Sequence, residues 1–207
     1  MNKKFILFDF DGVIVDSFQP AYEVAHMKCP HLTEDDYRER FEGNINEWQA
    51  SVNTHTDECR LDVDFFEHYV PKMEKQVTLV PSMGEVVATL AETYTLVIIS
   101  STITLPIERL LEKYNLRKYF TEVMGNDVHK SKVEKIRMVF TKYSVAAQYC
   151  VFITDTLGDM REAEKSGIGA LGVTWGFHTV ETLQRGNPFR LVSDPADIVS
   201  AVKEYFS

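Results

Sequence analysis

Short apolar runs punctuate the chain at Phe5 to Phe8, Leu96 to Ile99, Tyr119 to Met124, Cys150 to Ile153, Ala170 to Thr174 and Phe189 to Val192. Their length and β-branched or aromatic content predict buried strands. Between several of them the apolar positions recur at helical spacing. Val86, Val87, Leu90 and Ala91 form one stripe, and Ile107, Leu110, Leu111 and Tyr114 form another. Val133, Ile136, Val139, Phe140 and Tyr143 form a third, opened by Ser131 with Glu134 three places on, a capping-box pattern. Gly167 suits a stop after the segment 159–166, and Asp194 followed by Pro195 suits the start of a last helix burying Ile198, Val202 and Phe206. Strands alternating with helices predict a parallel sheet covered on both faces.

The interval from Phe18 to Val80 breaks this rhythm. It reads as helical and polar, and its thirteen acids against six bases carry most of the net charge of −9. One strand precedes it and the others follow. The expectation is therefore an α/β, doubly wound, Rossmann-like core formed by residues 1–17 and 81–207, with a small helical domain, residues 18–80, inserted after the first strand.

Composition narrows the function classes. With 44% apolar and 12% aromatic residues, the 207-residue chain can bury a sizeable core, which excludes disordered and collagen-like classes. The acidic balance argues against duplex DNA or an anionic membrane as main partner. Three widely spaced cysteines, Cys29, Cys59 and Cys150, imply no disulfide framework and suit a reducing compartment. The N-terminal apolar run is broken by Asp9 and Asp11, too soon for a secretory core, so a cytoplasmic location is expected.

The chemistry concentrates at strand ends. In FDFDGVIVDS, an apolar strand runs into Asp9 and Asp11, spaced to point to one side at its carboxyl end, where open parallel sheets place ligands. Two adjacent carboxylates repel unless a cation lies between them or one is protonated. Gly12 permits a sharp turn there. The strand TLVIISST ends in Ser100 and Ser101, whose hydroxyls can hold a phosphate oxygen or simply cap a helix. Lys130 and Lys132 stand at the entrance of the next helix, where an ammonium can neutralise phosphate. Asp155 ends another strand, and Asp159 follows near a helix start.

In that order the four motifs resemble the haloacid dehalogenase-like superfamily along the whole chain, in its members with a helical cap between the first two motifs. The tail GVTWGFHTVETL resembles phosphoglycolate-phosphatase-type members. The resemblance implies Asp9 as nucleophile, Asp11 as general acid/base, Ser100 as the phosphate-holding hydroxyl and Lys130 as the balancing lysine. Counting back from Glu134 favours Lys130, with Lys132 as the alternative. It implies Mg²⁺ held by Asp9, Asp11 through its carbonyl, Asp155 and Asp159, with Ser100, Ser101 and Lys130 around the phosphate. Two departures stand out: Ser131 follows the lysine where many relatives have Pro, and Ser101 stands where many have Asn.

The implied activity is hydrolysis of a small phosphorylated metabolite, phosphoglycolate being the named candidate, by a monomer or homodimer. A phosphosugar mutase, nucleotidase or pyrophosphatase stays open, although Asn46 occupies the place of an Arg usual in mutases. Asp11 disfavours a dehalogenase, and the chain length and the position of the Asp9-x-Asp11 pair disfavour a phosphoryl-accepting signalling protein, whose receivers place the acceptor Asp later and carry no cap insert. A non-catalytic binding protein is the remaining alternative. Phe41 to Asn44 lies where family members carry a substrate-specificity loop. His26, Cys29 and His31 are close in sequence, but with no second ligand pair beside them and Pro30 between, packing is their expected role. Cys150, in an apolar strand, is expected to be an inert core thiol. Trp175 and Phe177 either line the site or pack beneath it.

Overall fold

A computed structural model describes residues 3–47 and 55–207. β1 (Phe5–Phe8) is followed by a short β2 (Val15–Asp16), then by α1 (Phe18–Lys28), α2 (Glu34–Glu39) and α3 (Phe65–Gln76). β3 (Thr78–Leu79) leads into α4 (Met83–Ala91), β4 (Thr95–Ile99), α5 (Thr104–Lys113), β5 (Phe120–Met124) and α6 (Lys132–Tyr143). β6 (Cys150–Thr154), α7 (Leu157–Lys165), β7 (Gly169–Val173), α8 (Val180–Gln184), β8 (Arg190–Val192) and α9 (Asp197–Tyr205) complete the chain.

Six strands form one parallel sheet in the order β5-β4-β1-β6-β7-β8. This is the expected α/β, doubly wound architecture. Every side chain of β1 is buried, as a strand covered on both faces requires. Ile6 and Phe8 join the core beneath α4, α5 and α9, while Phe5 and Leu7 join the core beneath α6 and α7. At about 1.5–3 kcal/mol for each large apolar side chain removed from water, β1 is a strong anchor for whatever follows it. Because the chain leaves β1 toward β4 on one side and reaches β6 on the other, the carboxyl end of β1 lies at the switch point where open sheets form a crevice.

The six strands fall within two residues of their expected bounds. The antiparallel pair of β2 and β3, with Val15 opposite Leu79, was not expected: two-residue strands carry too little periodicity to be read. It ties together the two ends of the insert, whose described residues carry α1 to α3 and no strand of the six-stranded sheet. The last helix starts later than the expected Asp194. Asp194 instead turns the chain, its side chain accepting from the Ala196 N–H at 2.9 Å and its carbonyl from the Asp197 N–H at 3.0 Å.

A larger correction concerns the cysteines: Cys29 and Cys59 are joined as a disulfide within the insert. The reading without a disulfide rested on their 30-residue separation, which the fold closes by laying the segment before α3 against the end of α1. There the Arg60 N–H donates to the Lys28 carbonyl at 2.8 Å, and Lys28 Nζ donates to the Val63 carbonyl at 2.9 Å. Cys150 is buried in β6 as a free thiol, its pKa pushed up to about 12 by burial. No helix among the described residues is long and apolar enough to cross a membrane.

Candidate active site

Beyond Phe8 the backbone leaves the sheet and turns through Gly12, whose φ of +72° lies in the left-handed region. A Cβ there would also collide with the Asp155 carboxylate, so glycine is needed twice over. The turn leaves Asp9 buried and Asp11 facing the crevice. Asp9 Oδ1 accepts from the Phe10 N–H at 2.8 Å, which fixes the carboxylate and aims Oδ2 outward.

The lysine that meets Asp9 is Lys132, which corrects the expected Lys130. Lys132 Nζ lies 2.8 Å from Asp9 Oδ2 and 2.6 Å from Asp159 Oδ2. Lys130 is exposed at the rim of the same cavity, and its carbonyl accepts from the Asn46 side chain at 3.1 Å. The register follows from the helix: Ser131 caps α6, accepting from the Glu134 N–H, and Lys132 takes the first helical position, facing inward. A lysine in a first turn opposes the helix dipole, a local misfit that already sets Lys132 apart in the sequence. Glu162 from α7 answers it. Its Oε1 accepts from the Lys132 N–H at 3.0 Å, the Ser131 hydroxyl at 3.4 Å and the Asn44 side chain at 3.0 Å.

Asp11 is held from both sides. The Thr102 hydroxyl donates to its Oδ2 at 2.8 Å, with Ser100 Oγ at 3.5 Å from the same oxygen. From the insert, the Tyr69 hydroxyl donates to Oδ1 at 2.6 Å. Tyr69 escaped the sequence reading because it stands in no strand-end motif, and Thr102 because the two serines before it in TLVIISST drew the assignment. Ser100 is buried, and its hydroxyl accepts from the Thr102 N–H at 3.0 Å, bending the chain after β4. Ser101 is half-buried and lines the cavity. Below this turn lies a second buried lysine, Lys135, outside the apolar stripe of its helix. Lys135 Nζ donates to the Ser100 carbonyl at 2.6 Å, and burial, with Lys132 nearby, lowers its pKa to about 8.

Asp155 and Asp159 sit across the crevice from Asp9. Thr156 caps α7, and Thr154 donates to Asp159 Oδ2 at 2.8 Å. Asp155 Oδ2 accepts from the Phe177 N–H at 2.7 Å, while its Oδ1 is buried with no hydrogen-bond partner. Burial pushes the Asp155 pKa up to about 7, only partly offset by that amide and raised further by Asp159. Asp9 is likewise raised well above the usual carboxylate range by burial and by its two acid neighbours, against the pull of Lys132. Against its own burial, Asp159 is held low by Lys132 and by its hydrogen bonds. Lys132 keeps its proton because Asp159 and Asp9 outweigh burial.

One ammonium thus pairs with two of three buried carboxylates, and the third, Asp155, lines the crevice and keeps an orphaned buried oxygen. Such an oxygen-only donor set, short of positive charge, fits a hard divalent cation such as Mg²⁺. Asp9, Asp11, Asp155 and Asp159 line the same crevice.

The crevice widens into a cavity of about 560 Å³ between core and insert. Tyr37, Phe41, Phe65 and Phe66 line it from the insert and Phe177 from the core, which settles Phe177 as lining; Trp175 packs instead, its indole N–H donating to the Val13 carbonyl at 3.3 Å. The segment from Phe41 to Asn46 reaches the core at α7. Gly158 has no side chain to hold it away, and a Cβ there would run into the Gly43 carbonyl.

Comparison with known proteins agrees with this geometry. A haloacid dehalogenase-like hydrolase family model matches residues 6–173. The chain is 26% identical over 207 residues to a phosphoglycolate phosphatase of Synechococcus elongatus, covering 96% of this chain and 97% of the relative. It is 22% identical to a phosphoglycolate phosphatase of Vibrio parahaemolyticus, covering 96% of each. Among solved structures, a hydrolase from Pseudomonas syringae superposes with a TM-score of 0.80 at 20% identity, over 100% of both chains. A haloacid dehalogenase-like family protein from Streptococcus pneumoniae superposes with a TM-score of 0.77 at 20% identity, over 97% of this chain and 98% of the other. Strand-end acids, lysine and fold agree with a match spanning most of the sequence, and the chain belongs to the haloacid dehalogenase-like hydrolase family.

Proposed function

We propose that the protein is a Mg²⁺-dependent phosphatase that hydrolyses a small phosphomonoester through an aspartyl-phosphate on Asp9, with residues 18–80 serving as its cap. The observation that carries this reading is Lys132 Nζ bridging Asp9 and Asp159 while Asp11, two residues on, is held by Thr102 and Tyr69. Asp9 Oδ2 attacks phosphorus, and the P–O bond to the leaving group breaks as the Asp9–phosphorus bond forms. Asp11 gives a proton to the departing alkoxide, then takes one from the water that attacks the acyl phosphate and frees Asp9. Lys132 offsets the repulsion between carboxylate and phosphate, and Ser100, Ser101 and the amides after β4 hold the phosphoryl oxygens. Asp9, Asp11 and Asp155 would hold Mg²⁺, which when bound would supply further positive charge against the phosphate. The cap limits water during the first transfer.

Phosphoglycolate is the first substrate to test, on the strength of the full-length relatives. Its carboxylate needs a cation away from the phosphate end, and Arg40 and Lys28 of the insert line the cavity there. The cavity is also of a size that accepts larger ligands. Phosphate release should therefore be measured on a panel of phosphorylated metabolites including phosphoglycolate, with and without Mg²⁺. The expected result is Mg²⁺-dependent turnover that Asp9→Asn abolishes while the far-ultraviolet circular dichroism is unchanged. Turnover retained in Asp9→Asn would remove the nucleophile.

A further inference from the structure

Away from the acids, the insert gathers a second group of ligand-type side chains. Cys29 follows α1, and Cys59 lies in the segment that precedes α3. His55 Nδ1 is 3.2 Å from Cys29 Sγ, and the ligand atoms of Cys29, His55 and Cys59 all lie within 4.8 Å of one another. His31 stands just outside that group, its Nδ1 3.7 Å from Cys59 Sγ and 3.4 Å from the Thr56 hydroxyl oxygen. The spacing is Cys-x-His at 29 and 31 and His-x₃-Cys at 55 and 59. The second pair, missing near residue 30 in sequence, is supplied by the fold. His26 is not part of the group: its Nδ1 lies 2.9 Å from the Leu32 carbonyl.

The geometry points to a zinc site in the insert formed by Cys29, His55 and Cys59 when both cysteines are reduced, with His31, beside Cys59, turning in as the fourth ligand. With Zn–S of about 2.3 Å and Zn–N of about 2.0–2.1 Å, sulfur and nitrogen ligands of a tetrahedral centre stand about 3.6 Å apart. The two sulfur–nitrogen distances observed here, 3.2 and 3.7 Å, bracket that separation. Two thiolates and two imidazoles are a donor set that selects a soft or borderline ion over Mg²⁺. The disulfide is the oxidised form of the same cluster. A dithiol opens it by giving two electrons and two protons and becoming a disulfide, and a phosphine opens it by giving two electrons and becoming the phosphine oxide, water supplying that oxygen and both protons; Zn²⁺ then displaces the two thiol protons. Opening moves the sulfurs to about 3.8 Å apart, as two ligands of one zinc require. Disulfide and zinc are alternatives, and either one clips α1 to the segment before α3.

The test uses the full chain, reduced with a phosphine and freed of reductant without air, in excess Mg²⁺ so that the oxygen site is filled. Co²⁺ is then titrated as the spectroscopic probe. The expected result is a thiolate-to-cobalt charge-transfer band together with the intense visible bands of a tetrahedral ion, saturating at one Co²⁺ per chain and erased by Zn²⁺. His31→Ala should weaken Co²⁺ binding at least tenfold. Cys59→Ser should lose the charge-transfer band while keeping Mg²⁺-dependent phosphate release from an aryl phosphate. A reduced wild-type chain without the charge-transfer band overturns the site whether or not any variant folds. Unchanged affinity in His31→Ala overturns the four-ligand assignment.

Discussion

The Tyr69 hydroxyl donates to Asp11 Oδ1 at 2.6 Å across 58 residues of sequence, joining the last helix of the insert to the turn after β1. Tyr69 is fully buried, and burial together with Asp11 raises its pKa well above the ordinary phenol range, so it stays a donor throughout the working pH range. A hydrogen bond to a charged partner is worth about 1.5–3 kcal/mol. Tyr69→Phe is therefore expected to lower kcat about tenfold with little change in fold. Steady-state kinetics on an aryl phosphate checks this, and an unchanged kcat would mean that Thr102 alone suffices to place Asp11.

Lys132 and Lys130 make a paired test. Lys132→Ala removes the ammonium between Asp9 and Asp159 and should cost at least a hundredfold in kcat/KM, because it leaves buried acids facing an anionic substrate. Lys130→Ala should change kcat/KM by less than about threefold, as expected of an exposed surface charge. The reverse ranking would return the balancing role to Lys130.

Asp155 links stability to pH. Its carboxyl is held near 7 in the folded chain against an ordinary 3.8. Between those values the folded state keeps a proton that the unfolded state has lost, so the metal-free protein loses stability as pH rises through that window, by at most about 1.4 kcal/mol per unit from this group. Mg²⁺ needs the ionised carboxylate. Its stabilising increment should therefore be small near pH 5, grow toward pH 7 and level off above it. Thermal unfolding with and without Mg²⁺ at several pH values measures this, and Asp155→Asn should remove the increment. An equal increment at pH 5 and pH 8 would contradict the assignment.

Gly158 lies within α7, where alanine ordinarily stabilises a helix by up to about 1 kcal/mol. Here the opposite sign is expected, since a Cβ would run into the Gly43 carbonyl of the cap loop. Gly158→Ala should lower stability by about 1–3 kcal/mol or raise KM as the loop is pushed off the core. A higher Tm with unchanged KM would show that the loop yields at no cost.

Much of the core was legible because its signals are local. Strands such as Phe5 to Phe8 are continuous apolar runs, and each of Asp9, Asp11 and Asp155 stands directly beyond one. Lys132 was harder to read. Helical periodicity places lysines outside, whereas Lys132 and Lys135 both lie on the buried side of α6, each answered by groups from other elements. Tyr69, Thr102 and Glu162 act through contacts made only when distant segments meet, and no pattern within a window of the chain announces them. The cysteines follow the same logic: the partner of Cys29 is 30 residues away.

Glu162 Oε1 gathers the Lys132 amide, the Ser131 hydroxyl and the Asn44 side chain on a single atom. Displacing Asn44 would take one donor from that oxygen and loosen the footing of the helix that carries the lysine. The insert's hold on the core and the seating of the charge at the nucleophile thus meet on one atom.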